Sequence, residues 1–235
     1  MSHVRYSAVA KASSSSVAAR LSLVAAAATL AFLAALHVLS PEFDPSWRMV
    51  SEFANGQHSL VLSLMFASWA VSSWALAYAI WPVVSGRAGK IGLVFLLLAG
   101  IGETMAAAFD IKHPLHSLAA AIGIPSLPIA AMLITLNLVR VAAWRPARTA
   151  LLATANLTWI SFVLMAAAFA VFVSTFQRAG GDMSGAAALT TLPDGTVALI
   201  GWANRLLIVA YCGWVMTVAW LWGTFIRSDR QFFST

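Results

Sequence analysis

The amino-acid sequence predicts an all-α polytopic membrane protein, a bundle of six transmembrane helices with both termini in the cytoplasm. Of its 235 residues, 61% are apolar or aromatic and only 9% are charged, whereas a soluble domain carries roughly a quarter charged residues. Six segments are apolar over the roughly 20 residues that a helix needs to cross a hydrocarbon core of about 30 Å. The sequence lacks the alternating pattern of an outer-membrane barrel, so the spanning elements are predicted to be helices.

Charged residues, proline or glycine bound each of these segments. The first lies between Arg20 and Pro41, Pro82 follows the second, and Arg145-Pro146 separates the fourth from the fifth. The predicted spans, in chain order, are Leu21–Leu39, Leu60–Trp81, Ile91–Phe109, Leu118–Val139, Ala150–Phe176 and Val197–Ile226.

The chain is expected to form a single domain with short tails. The spans delimit a six-helix transmembrane domain at residues 21–226. Residues 1–20, with a serine run, are predicted to be a short disordered cytoplasmic tail, and residues 227–235 form a cytoplasmic tail. The single cysteine, Cys212, excludes an internal disulfide framework.

Basic residues are distributed unequally between the alternate connections, and this predicts the orientation. The connections on one side contain only Arg48, Lys112 and Arg178, together with six acidic residues. Ten basic residues lie on the other side: Arg5, Lys11, Arg20, Arg87, Lys90, Arg140, Arg145, Arg148, Arg227 and Arg230. The net charge of +6 is therefore an orientation signal and not the footprint of a nucleic-acid binder. We expect a multi-pass protein of the bacterial cytoplasmic membrane, with membrane lipid as its partner.

Two oppositely charged residues lie inside predicted spans. At 1.5 Å per residue, Glu103 is about 10 Å and Arg205 about 12 Å below the same boundary. Each costs on the order of 2.5–3.5 kcal/mol in the bilayer when isolated. Their equal depth and opposite charge predict a Glu103–Arg205 pair, with Asn204 nearby. Such a pair is either an interhelical staple or part of a binding or catalytic site.

A second concentration of polar residues lies on the predicted outer face. Histidines and carboxylates there suit general acid/base chemistry or zinc binding. His116 with Asp110 is the candidate catalytic unit, and His37, His113, His116 and Asp110 are the alternative metal ligands. Helix capping and headgroup contact are the other interpretation. The spacing matches no recognised metal motif, and no cofactor is required by any motif in the chain.

Three stretches of the chain resemble a known family. They are Leu36-His37 to Gly56, Phe109-Asp110 to Ala120, and Gly201 to Trp214. Together they resemble the bacterial six-helix membrane family catalogued as domain of unknown function 998. That resemblance implies six spans and no particular reaction. It marks a set of matching polar positions: His37, Asp44, Ser51, Glu52, Asp110, His116 and Arg205.

These observations favour a protein that binds or modifies a lipid or amphiphile. The expected site is a polar cavity open to the extracytoplasmic side and lined by spans one, three, four and six, with Arg205 at its floor. A proton-coupled small-molecule transporter that uses Glu103 is one alternative, and a structural or accessory membrane subunit is another. Whether the protein is an enzyme stays open at this point. Pro125 and Pro128 are expected to distort span four and to free backbone carbonyls there.

Overall fold

Six long helices make up most of the computed structural model, which describes residues 2–183 and 189–232, with side chains between residues 14 and 225 of that part. They are α1 (Ser2–Leu39), α2 (Ser59–Ile80), α3 (Gly86–Ala108), α4 (Leu115–Leu138), α5 (Arg148–Arg178) and α6 (Ile200–Phe232). Short 3-10 helices cover Val50–Asn55 and Ala142–Ala147. All six long helices contain a stretch long and apolar enough to cross a membrane. The predicted all-α, six-span class is therefore confirmed.

Helix α1 begins at Ser2, well before the predicted first span. It therefore includes residues that the sequence analysis assigned to a disordered tail, although its membrane-spanning stretch is Ser14–Leu39. The bounds of α2, α4 and α5 lie within three residues of the predicted spans, whereas α3 begins five residues earlier and α6 ends six residues later than predicted. The division of the chain into tails and a transmembrane domain stays a prediction.

The helices pack as a ring in chain order. Each of α1 to α5 contacts the next helix, and α6 returns to α1, while α2 also touches α6 across the middle. The core between them holds fully buried side chains such as Leu36, Leu76, Ile134 and Trp214. One end of the bundle carries residues 40–58 and 109–114, and we call it the acidic end.

Helices α3 and α4 approach each other at glycines. A Cβ added to Gly102 would lie 2.5 Å from the Cα of Gly123 and 2.8 Å from the carbonyl oxygen of Ala119. Small residues let the backbones of membrane helices pack closely, which is a principal source of their association. Gly102 thus belongs to a helix-packing surface of α3, and Ala99, three residues earlier on the same helix, is also fully buried.

Helix α4 continues through its two prolines. Because Pro128 has no N–H, the carbonyl of Ile124 loses its partner one turn earlier. The hydroxyl of Tyr211 on α6 donates to this carbonyl at 2.6 Å. The carbonyl that the proline frees therefore ties α4 to α6.

Replacing Gly102 with alanine is expected to lower the melting temperature of the purified protein. The new methyl group would overlap the backbone of α4, and such overpacking costs about 1–3 kcal/mol, or roughly 2–10 °C for a chain of this size. Gly213→Ala on α6 is the control, because its Cβ would meet nothing within 4 Å. Size-exclusion retention after heating measures both, and equal melting temperatures would contradict the close α3–α4 contact.

Candidate functional site

The buried guanidinium of Arg205, near the start of α6, organises one part of the acidic end. Its Nε donates to Nε2 of His37 at 2.6 Å, and its Nη1 donates to the carbonyl oxygens of Arg48 at 2.7 Å and of Gly201 at 2.9 Å. The side chain is only 5% exposed. Arg205 therefore joins α6 to the end of α1 and to the segment before the first 3-10 helix.

The hydrogen bonds of His37 indicate which of its two ring nitrogens carries the proton. Nδ1 lies 2.7 Å from the carbonyl oxygen of Leu33, and a carbonyl only accepts, so Nδ1 carries the proton. Nε2 must then hold the lone pair that receives the Arg205 proton. His37 is thus a neutral acceptor for the Nε–H of Arg205. Both ring nitrogens are engaged, so neither is available to a metal ion or to act as a general base.

The segment between α1 and the first 3-10 helix is held against the start of α6. The N–H of Gly201 donates to the carbonyl oxygen of Ser46 at 3.0 Å. A Cβ at Gly201 would lie 2.4 Å from the carbonyl oxygen of Pro45, so only glycine allows this approach. Arg48 pairs with Glu52 at 2.6 Å and its guanidinium lies over the Trp47 ring.

Asp44 has a local structural role in the same segment. It accepts hydrogen bonds from the backbone N–H of Ser46 at 2.8 Å and from the Ser46 hydroxyl at 2.7 Å. These bonds, the backbone one first, hold the pKa of the Asp44 carboxyl below its usual range. Asp44 therefore stabilises a turn that positions the backbone against α6.

The predicted Glu103–Arg205 pair is wrong. No ion pair joins Glu103 to Arg205, both of which the structure describes, and Glu103 instead accepts from the Ser73 hydroxyl at 2.8 Å. Helix α3 packs between α2 and α4, whereas α6 packs between α5 and α1. Equal depth therefore did not make the two residues neighbours, because they lie on helices that are separated in the ring.

A cavity of about 510 Å³ lies within the acidic end, and its lining is mainly apolar. It receives residues from α2 to α6 and from the first 3-10 helix. The lining residues are Met49, Val50, Ser51, Phe66, Trp69, Gly102, Glu103, Ala106, Ile111, His116, Ser117, Ala119, Ala120, Gly123, Ile124, Met165, Phe169, Asn204, Leu207, Ile208 and Tyr211.

This lining corrects the cavity expected from the sequence. Helix α1 contributes no lining residue among those described, α2 and α5 do contribute, and Arg205 is not at the floor. The reason is helical geometry: Asn204, Leu207, Ile208 and Tyr211 form one stripe of α6, and Arg205 is turned about 100° away from Asn204. Helix α6 thus presents the side-chain amide of Asn204 to the cavity and the guanidinium of Arg205 to α1.

Asn204 also fixes the roof of the cavity. Its Oδ1 accepts the backbone N–H of Val50 at 2.9 Å, and its Nδ2 lies 3.7 Å from the sulfur of Met165. Val50 and the neighbouring Ser51 belong to the 3-10 helix that covers this end. Neighbouring residues of α6, Asn204 and Arg205, therefore hold the same covering segment.

His116 and Asp110 are not brought together as an acid/base unit. Nδ1 of His116 lies 3.0 Å from the carbonyl oxygen of Phe109, to which it donates, so the lone pair of the neutral ring is on Nε2. Asp110 instead accepts the backbone N–H of Lys112 at 2.9 Å. His116 lines the large cavity, whereas Asp110 lines a separate one of about 330 Å³ with His113.

The alternative metal ligands are also dispersed. His37 is held by Arg205, and the His113 ring stacks on Phe109 with centroids 4.4 Å apart. Within residues 14–183 and 189–225, no group of three or more His, Cys, Asp or Glu side chains is close enough to hold a metal ion.

Sequence reasoning missed Trp69 and Tyr211, which line the cavity, and Ser73, whose hydroxyl donates to Glu103. The stripe of α6 at positions 204, 207, 208 and 211 was a readable signal for Tyr211, since it has helical spacing and a polar end. Its hydroxyl also had a predictable partner, the carbonyl that Pro128 leaves unpaired. No comparable signal marked Ser73, whose role depends on which helix faces Glu103.

Comparison with known proteins found one family. A family model described as Protein of unknown function (DUF998) matches residues 23–221. No curated protein and no solved structure matches the chain.

Replacing His37 with leucine is expected to destabilise the protein more than replacing it with glutamine. Leucine leaves a buried N–H of Arg205 without an acceptor, at a cost of about 1.5–3 kcal/mol, whereas the glutamine amide oxygen keeps one. The reaction of Cys212, the single and buried cysteine, with a thiol-reactive fluorophore during heating measures unfolding. His58→Leu is the matched control, because His58 makes no side-chain capping bond, and an equal loss in both leucine variants would contradict the bond.

The effects of Glu103→Gln and Arg205→Ala on stability are expected to be additive. Residues without shared partners usually show coupling below about 0.5 kcal/mol, and these two bond to different groups on different helices. The same thiol-labelling measurement on both single variants and the double variant gives the coupling. A double variant no less stable than the worse single variant would show that the two residues are coupled, and would support a direct Glu103–Arg205 pair.

Proposed function

We propose that this chain, which belongs to the DUF998 family of proteins of unknown function, binds the apolar chain of a lipid or other amphiphile in the cavity at the acidic end. The observation that carries the proposal is the cavity of about 510 Å³ with a mainly apolar lining and a few polar groups. Sites for small molecules have volumes of about 300–1,000 Å³ and this kind of lining. The chain is a multi-pass membrane protein, so amphiphiles surround it.

The chemical composition of the lining supports an amphiphile over a wholly polar ligand. Phe66, Trp69, Met165 and Phe169 come from α2 and α5 and supply apolar surface. Glu103 supplies the one acidic side chain among the lining residues. A molecule with an apolar body and one polar group therefore matches both parts of this surface.

The side of the membrane from which the ligand would reach the cavity follows from the predicted orientation of the chain. The acidic end is placed on the extracytoplasmic side of a bacterial cytoplasmic membrane, and both termini are placed in the cytoplasm, because basic residues are concentrated at the other end. The amphiphile would then come from the outer leaflet.

Filling the cavity is expected to weaken binding without unfolding the protein. Ala120 lines the cavity, and Ala120→Phe would occupy part of it. The binding affinity for 1-dodecanol in phosphatidylcholine nanodiscs, measured by ligand-induced thermal stabilisation, should fall at least about tenfold, which corresponds to about 1.4 kcal/mol.

Ala121→Phe is the matched control, because Ala121 is the next residue of α4 and is exposed. Its affinity for 1-dodecanol should equal that of the unmodified protein. Stabilisation by dodecanol that is the same in both phenylalanine variants would reject the cavity as the binding site.

A further inference from the structure

We propose that the natural ligand of the cavity is an amphiphilic amine, whose protonated amino group pairs with the carboxylate of Glu103. This inference rests on the proposed function and names the polar group of the ligand. An alkyl or prenyl chain attached to the amine would lie along the apolar lining.

The position of Glu103 is the first observation. Its side chain is 6% exposed, it lines the cavity, and its Oε2 accepts a hydrogen bond from the Ser73 hydroxyl. Of the described residues that line the cavity, none is a lysine or an arginine. A carboxylate at this depth is costly when no cation accompanies it, and a ligand ammonium group would supply that cation.

The neighbouring polar groups also present acceptors. His116 donates through Nδ1 to Phe109, which leaves the Nε2 lone pair of its neutral ring. Tyr211 uses its hydroxyl proton on the carbonyl of Ile124, which leaves the oxygen as an acceptor. An ammonium group has three donors and no acceptor, and it therefore complements these groups.

Aromatic rings add a third reason. Phe66, Trp69 and Tyr211 all line the cavity, and the rings of Trp69 and Tyr211 meet edge to face at 6.0 Å. Aromatic ring faces attract cations, most strongly where water is excluded.

The hydrogen-bond partners of Arg48 and Arg205 described above lie outside the cavity lining, which disfavours an anionic headgroup. Arg205 donates to His37 and to two backbone carbonyls, and Arg48 pairs with Glu52. Neither guanidinium lines the cavity. An anionic group would therefore meet no lysine or arginine among the described residues that line the cavity.

Three probes with the same chain separate the alternatives: dodecylamine, 1-dodecanol and dodecanoate. In phosphatidylcholine nanodiscs at pH 7 the amine is a cation and the acid an anion. Binding is measured by ligand-induced stabilisation, followed through the labelling of Cys212. We expect dodecylamine to bind at least about tenfold more tightly than either other probe, and Glu103→Gln to remove that preference. Glu42→Gln, an exposed acid at the same end, should keep it.

Several results would overturn the inference. Dodecanol or dodecanoate binding as tightly as the amine would do so, and so would an amine preference that survives Glu103→Gln. If that variant does not fold, Glu103→Asp, which retains a carboxylate, must keep the preference, and the ranking in the unmodified protein still decides. Equal binding of all three probes that Ala120→Phe abolishes would leave the proposed function intact, whereas the absence of any Ala120-dependent binding would reject that function itself.

Discussion

The guanidinium of Arg205 determines how the acidic end of this bundle is assembled. It is buried, and its three hydrogen-bond acceptors are neutral: the His37 ring and the carbonyls of Arg48 and Gly201. The bonds close the ring of helices between α6 and α1. They also hold the backbone that leads into the first 3-10 helix. The first 3-10 helix covers the cavity. Its position therefore depends on Arg205, although Arg205 does not line the cavity.

A division of roles along one turn of α6 follows from this arrangement. Asn204 faces the cavity and accepts the N–H of Val50, while Arg205 faces α1. The guanidinium of Arg205 thus has a structural role, and Glu103 is the acidic side chain among the described residues that line the cavity. The close α3–α4 contact at Gly102 and Gly123 forms part of the cavity wall beside Glu103, because both glycines line the cavity.

Much of the fold was predictable because its signals are local. The length and apolarity of each span predicted six helices, and Pro125 and Pro128 predicted freed backbone carbonyls in span four, of which the carbonyl of Ile124 accepts from Tyr211. The location of Glu103 and Arg205 within membrane-spanning helices was also predicted correctly from the spans. The pairing of these residues was not, because depth is a one-dimensional quantity and contact depends on which helices are neighbours. His116 and Asp110 failed as a unit for a related reason, since each is committed to the backbone of its own turn.

The sequence by itself determined that this chain belongs in a bilayer as six helices and that a few polar residues lie deep within it. Those properties depend on composition and on spacing along single helices, because the bilayer requires each span by itself to be apolar and helical. Only the tertiary structure decided that Arg205 faces His37, that Glu103 faces Ser73 and a mainly apolar cavity, and that α1 is excluded from its lining. Those outcomes depend on the order of helices around the ring and on the rotation of each helix, which are decided by packing between segments distant in the chain.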